Sequence, residues 1–108
     1  MKTYTECKAL GSGPVFTLAS IHSQAESDFI YDEFSGRMWV GAYRTGPGNS
    51  FEWEDGSPYD FDYWYTGEPN FSFGKENHII INWWGDGRWN DEAEWFTNPC
   101  LFIDNVSK

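Results

Sequence analysis

Hydrophobic and polar positions change their period several times along this 108-residue chain, and the changes mark its elements. The first residues read as the end of a helix, stopped by Gly11-Ser12-Gly13-Pro14, which places Cys7 at that helix's end. Val15 to Ile21 is an extended, mostly apolar run. Ser23-Gln24-Ala25-Glu26 has capping-box spacing and predicts a helix start; Ala25, Phe29, Ile30 and Phe34 follow at helical spacing, and Gly36 ends it. Met38 to Tyr43 reads as a strand, and Phe51 to Glu54 as a short one. Ile79-Ile80-Ile81 is another strand, Gly85-Asp86-Gly87 a hairpin turn, Trp89 the start of the returning strand, and Cys100 to Ile103 the last. Gly56 to Asn77 keeps no period, and a loop so long in a small domain is usually functional. There is no internal repeat. Few helices, short antiparallel strands and one long loop predict a single α+β domain over residues 1–108.

Composition sharpens this only in places. Aromatic residues reach 20%; most of these rings are read as core, and some are expected at a ligand surface. The net charge of −10 argues against nucleic acid and against an anionic membrane, and is compatible with a divalent cation. No run of about 18 or more apolar residues suggests a membrane span, and MKTYTECKAL lacks the apolar stretch of a signal peptide. Cys7 and Cys100 stand near opposite ends. Two buried thiols are one reading; a bridge closing a loop of about 90 residues, which would stabilise by about 4–5 kcal/mol on a chain-entropy argument, is the other. His22 and His78 form no HExxH pattern, and no serine sits in a G-x-S-x-G elbow, so neither metalloprotease nor serine-nucleophile chemistry is indicated. Glu26, Asp28, Asp32 and Glu33 read as a solvated helix face.

A run of short motifs in fixed order carries more. Leu18-Ala19-Ser20-Ile21-His22-Ser23-Gln24-Ala25-Glu26, Trp39-Val40-Gly41-Ala42-Tyr43, Phe51-Glu52-Trp53-Glu54-Asp55-Gly56-Ser57, Trp64, Gly67-Glu68-Pro69-Asn70, Glu76 and Trp89-Asn90-Asp91 together resemble the C-type lectin family over about residues 5 to 104. The resemblance implies a C-type lectin-like fold with one or two helices and a long Ca2+-binding loop. It implies a binding domain and not an enzyme. Relative to the family the first strand and the start of the first helix are expected to be missing. The family's shorter disulfide is missing too, with His78 where one of its cysteines would stand and no cysteine between Asp91 and Cys100. Cys7 and Cys100 are expected to be joined, in an extracellular or secreted protein.

The same resemblance implies one Ca2+, held by Glu68, Asn70, Glu76, Asn90 and Asp91. The residue types suit the task, since Ca2+ takes about 6–8 oxygen ligands. Acidic positions of the family's auxiliary sites fall on Arg44 and Phe71, so only the primary site is expected. Glu68, Asn70, Glu76 and Asn90 would also read sugar hydroxyls, with Phe71, Phe73 and Glu92 as flanking contacts. In the family, Glu-Pro-Asn goes with mannose-type ligands: mannose, N-acetylglucosamine, glucose and fucose. Glycans or glycoproteins are the implied partners, with oligomers raising avidity; the alternative is the same fold binding protein or ice without sugar. Asn70-Phe71-Ser72 and Asn105-Val106-Ser107 are glycosylation sequons, with Asn70 expected bare because it is a ligand position.

Overall fold

A computed structural model describes residues 1–11, 16–34, 36–46, 50–67 and 77–104. The elements run α1 (Tyr4–Leu10), β1 (Phe16–Leu18), α2 (Gln24–Glu33), β2 (Met38–Arg44), β3 (Phe51–Trp53), β4 (His78–Ile81), β5 (Trp89–Glu92) and β6 (Phe102–Asp104). They form a two-stranded sheet, β1-β6, and a four-stranded sheet in the order β3-β2-β4-β5, all paired antiparallel. The α+β architecture expected from the sequence is the one observed.

Both helices start where side chains satisfy their first amides. Thr3 accepts from the Glu6 amide while the Glu6 carboxylate accepts from the Thr3 amide, a reciprocal box that opens α1. Cys7 therefore sits in the middle of α1 and not at its end, and the helix buries Tyr4 and Cys7. At α2 the box is half-made: Ser23 accepts from the Glu26 amide, but the Glu26 carboxylate turns to the His22 amide at 2.5 Å. The helix stops at Glu33, short of Gly36. Its expected apolar stripe is not buried: Ala25, Phe29 and Phe34 are exposed and Ile30 half-buried. These side chains line an open groove of about 410 Å³ beside Leu101, Phe102 and Ile103.

The apolar runs of β2 and β4 do not alternate because both faces of the sheet are covered. Met38, Val40, Ala42, Ile79 and Ile81 enter the larger core with Trp53 and Trp89, while Trp39 and Ile80 enter a second core with Tyr4, Cys7 and Leu18. Gly41 is required by a close approach, since a Cβ there would lie 2.8 Å from the Leu18 carbonyl oxygen. Cys7 and Cys100 are joined, tying α1 to the segment before β6 with Cα atoms 5.6 Å apart.

The turns follow their residues. In Glu54-Asp55-Gly56-Ser57, Gly56 takes φ +79° and the Asp55 carboxylate accepts from the Ser57 amide at 2.9 Å and the Ser20 hydroxyl at 2.5 Å. Between β4 and β5, Asn82, Gly85 and Gly87 all have positive φ, and the Asn82 side chain accepts from the Gly87 amide at 2.9 Å. β5 is the outer strand of its sheet, flanked by a bridge from Trp64 to Trp89 and a bond from the Tyr65 amide to the Trp89 carbonyl.

Candidate cation site on the outer strand

Of the five side chains expected on Ca2+, Asn90 and Asp91 fall within the described residues. Glu68, Asn70 and Glu76 lie outside them, as do Phe71, Phe73 and both sequon asparagines. Among the described residues no three acidic, histidine or cysteine side chains gather as a metal site.

β5 places its four residues by register. Trp89 and Asp91 pair with Ile81 and Ile79, and Asn90 and Glu92 pair with Ile80 and His78. Side chains alternate along a strand, so Asp91 shares a face with Trp89, and Asn90 shares the other with Glu92. The contacts agree: the Asn90 amide donates to Glu92 at 3.4 Å, and Asp91 turns to Arg44. All four residues are buried.

Asp91 is completely buried, and its carboxylate accepts from Arg44 Nη2 at 2.7 Å. The Arg44 side chain is only 6% exposed. Arg44 is the last residue of β2, two strands away, and its amide donates to the Asn77 carbonyl just before β4. Its guanidinium also lies over the Phe51 ring, 4.6 Å from the centroid. The surroundings are aromatic: Trp53 and Trp89 stand edge-to-face at 5.9 Å, and among the described residues neither buried indole N–H meets an acceptor. A fully buried carboxylate in such a place needs a compensating positive charge. The amide oxygen of Asn90 and the carboxylate of Asp91 are donors of the kind a hard cation takes, but the strand sends the two side chains to opposite faces, and the structure does not bring them together. The carboxylate's resident partner here is the guanidinium of Arg44. Read from the sequence alone, Arg44 marked only a lost acidic position; a lone cation ending the apolar run Met38-Trp39-Val40-Gly41-Ala42-Tyr43 was the available signal.

The opposite face of the same sheet end carries no such pair. His78 stacks on Tyr4, with ring centroids 3.6 Å apart, and its Nδ1 donates to the Ala42 carbonyl at 3.0 Å. Burial holds its pKa below the ordinary histidine value. The Tyr4 hydroxyl donates to Glu54 at 2.6 Å, and burial followed by that carboxylate pushes the phenol pKa far up. Lys8 approaches the same carboxylate at 3.6 Å. Thr5 donates to Glu94 at 2.9 Å. Glu92 turns its second oxygen to the Ala93 amide at 3.0 Å. His22 is also satisfied, by Asp60 at 2.7 Å and Ser20 at 3.0 Å.

Comparison with known proteins places the fold. The profile of the Lectin C-type domain matches residues 1–101. Ladderlectin of Oncorhynchus mykiss is 37% identical over 91 residues, which is 79% of this chain and 46% of that protein, so the chain spans about half of this relative's length. The cow C-type carbohydrate-recognition domain of CD23, solved in the presence of a GlcNAc2Man3 oligosaccharide, superimposes with a TM-score of 0.82 at 28% identity, covering 95% of this chain and 79% of that one. A calcium-independent type II antifreeze protein superimposes with a TM-score of 0.78 at 25% identity, covering 94% of this chain and 76% of that one. The chain belongs to the C-type lectin domain family.

Proposed function

We propose that this domain binds carbohydrate through one Ca2+ and prefers mannose-type ligands. The observation that carries the reading is the ordered set Glu68-Pro69-Asn70, Glu76 and Asn90-Asp91 in a chain of this family. Glu68, Asn70, Glu76, Asn90 and Asp91 would hold the ion. When bound, Ca2+ supplies direct coordination to two hydroxyl oxygens of one sugar. Glu68 and Glu76 would accept the hydroxyl protons, and the amides of Asn70 and Asn90 would donate to the oxygens. Each hydroxyl then meets one acid and one amide, and that order of donors and acceptors sets which hydroxyl pair fits. Phe71, Phe73 and Glu92 would flank the sugar. The carboxylates must be ionised to hold the ion, so affinity falls on acidification. Glycans or glycoproteins outside the cell are the partners this implies, with oligomers adding avidity.

Retention on a mannose column in Ca2+, with release by chelator, is the expected result. Passage through the column in Ca2+ would sink the reading. Preference is tested by Glu68→Gln with Asn70→Asp, which keeps oxygens and net charge but exchanges donor and acceptor. A glycan array should move from mannose-type towards galactose-type ligands.

A second reading is a domain that binds protein or ice without sugar. Arg44 on Asp91 favours it, because the carboxylate already has a cation, and the likeness to a calcium-independent antifreeze protein points the same way. Column retention that is unchanged by chelator, or no retention at all, belongs to this reading.

A further inference from the structure

We propose that the groove between α2 and β6 docks a basic amphipathic segment of a protein partner, with the segment's apolar side chains in the groove and its cations against the acids of α2. None of the described lining residues belongs to the proposed ion site, so this surface is independent of the Ca2+ reading. The groove is open and holds about 410 Å³, room for a few large side chains. Phe29, Ile30 and Phe34 wall it on the α2 side, and Leu101, Phe102 and Ile103 on the β6 side. Phe29 is 62% exposed and Phe34 46%. Two rings left so far in water at one apolar groove mark a surface that another apolar surface covers. A helix with apolar side chains three and four positions apart has the shape for such a groove.

Charge selects the kind of partner. α2 carries Glu26, Asp28, Asp32 and Glu33 and no basic residue. Glu26 lines the groove. Asp32 and Glu33 follow Phe29 by three and four positions, which sets them beside it on the helix surface. Among the described residues, no lysine, arginine or histidine side chain pairs with any of the four. Asp32 and Glu33 also occupy the last turn of α2, the negative end of the helix dipole, where cations stabilise and acids do not. A lysine or arginine brought by a partner would meet these carboxylates and the last helix carbonyls together. The same charge disfavours other occupants. A second copy of this chain, at a net charge of −10, would set acids against acids. A fatty acid or anionic lipid would bring its negative head to the acidic rim.

The probe is an amidated helical peptide of about 18 residues, with leucines on one face and lysines on the other. A twin carries glutamate for lysine, and a third peptide scrambles the order. Binding is read by calorimetry and by the domain's amide chemical shifts. The lysine peptide is expected to bind and to shift amides of α2 and of Leu101 to Ile103; twin and scramble should bind about tenfold weaker or more. Phe29→Ser, at an exposed position, should melt near wild type and lose about tenfold in affinity. Asp32→Asn with Glu33→Gln should lose about tenfold as well, yet melt slightly higher, because two acids leave the negative end of the dipole. A merely structural role for those acids would lower the melting temperature instead. Glu52→Gln with Asp62→Asn removes two exposed acids outside the groove and should change affinity by about twofold or less. Equal loss in the two charge variants would mean that the overall field attracts the peptide, and overturns the site. So do equal binding of the twin, binding unchanged in Phe29→Ser, shifts centred away from α2, or no binding at about 1 mM peptide. Dimers in sedimentation that Phe29→Ser abolishes would give the groove to a second copy and overturn the basic partner.

Discussion

The two faces of the four-stranded sheet solve one problem in different ways where β2, β4 and β5 end together. On one face a charge, Asp91, is buried completely and held by an opposite charge, Arg44. On the other a titratable ring, His78, is buried and kept neutral, stacked on Tyr4 and bonded to the Ala42 carbonyl. The first arrangement keeps an anion buried by giving it a resident cation. The second keeps its buried ring neutral, and the carboxylates around it are met by a tyrosine hydroxyl, a lysine and a backbone amide: Glu54 by Tyr4 and Lys8, Glu92 by the Ala93 amide. A face built on a charge pair is intolerant of losing one partner; a face built on neutral contacts is sensitive mainly to pH.

The largest effect expected is on the neutral face, where the Cys7–Cys100 bridge fixes α1, and with it Tyr4, against the sheet. Cys100→Ala should lower unfolding free energy by about 4–5 kcal/mol on the loop-entropy argument. Chemical denaturation of oxidised wild type and variant measures it. A loss under about 1 kcal/mol would mean that the stack of His78 on Tyr4 and the bond to Glu54 anchor α1 without the covalent tie.

The charged face gives a sharper contrast, because one change and two changes should act in opposite directions. Asp91→Leu alone takes from the buried Arg44 guanidinium the carboxylate it donates to, and should cost about 3–5 kcal/mol. Adding Arg44→Met removes the second charge and replaces the pair with apolar volume. The double variant should return close to wild-type stability, within about 1–2 kcal/mol. A double-mutant cycle by denaturation in chelator reads the coupling. Simple additivity of the two losses would show that the pair contributes little, and that Asp91 draws its compensation from elsewhere.

How far the sequence discloses these sites depends on how far apart their parts lie in the chain. The strand Met38 to Tyr43 and the helix start at Ser23 are local patterns, and both form, though the box expected at Ser23 closes on one side only. The Cys7–Cys100 pairing became an expectation only through the family's motif order, since two cysteines 93 positions apart show no local sign of meeting. The α2 stripe misled because period reports which side chains share a face and not what covers that face; Phe29 is 62% exposed beside the groove. Arg44 was legible as a departure from a motif, but its work was not. It meets Asp91 47 positions away, across an intervening strand, and only the β2-β4-β5 register brings the two together. His78 likewise read as a missing cysteine, with nothing in the sequence to say that Tyr4 would stack on it.

The smallest effect expected is the pH response of the neutral face, and it separates the two faces most cleanly. Burial lowers the His78 pKa; the Ala42 bond and the carboxylates of Glu54 and Glu94 pull it back in part, while Lys8 pushes it down further. The folded state therefore resists a proton that the unfolded chain accepts near the ordinary histidine value of about 6.5. Above about pH 6.5 neither state binds that proton, and the contribution of neutral His78 is fully present. As pH falls below about 6.5 the unfolded chain takes the proton first, so stability declines until the folded pKa is passed, by at most about 1.4 kcal/mol per pH step. His78→Phe keeps a ring to stack on Tyr4 but cannot take the proton. It should start somewhat less stable, because the Ala42 carbonyl loses its donor, and then lose less on acidification. Unfolding free energies of wild type and variant in chelator, taken in steps from pH 7.5 to about 5, should converge as pH falls. The acids common to both proteins cancel in that difference. A difference that stays constant across the range would mean that His78 takes no part in the linkage, and that the neutral face is as indifferent to pH as a purely apolar one.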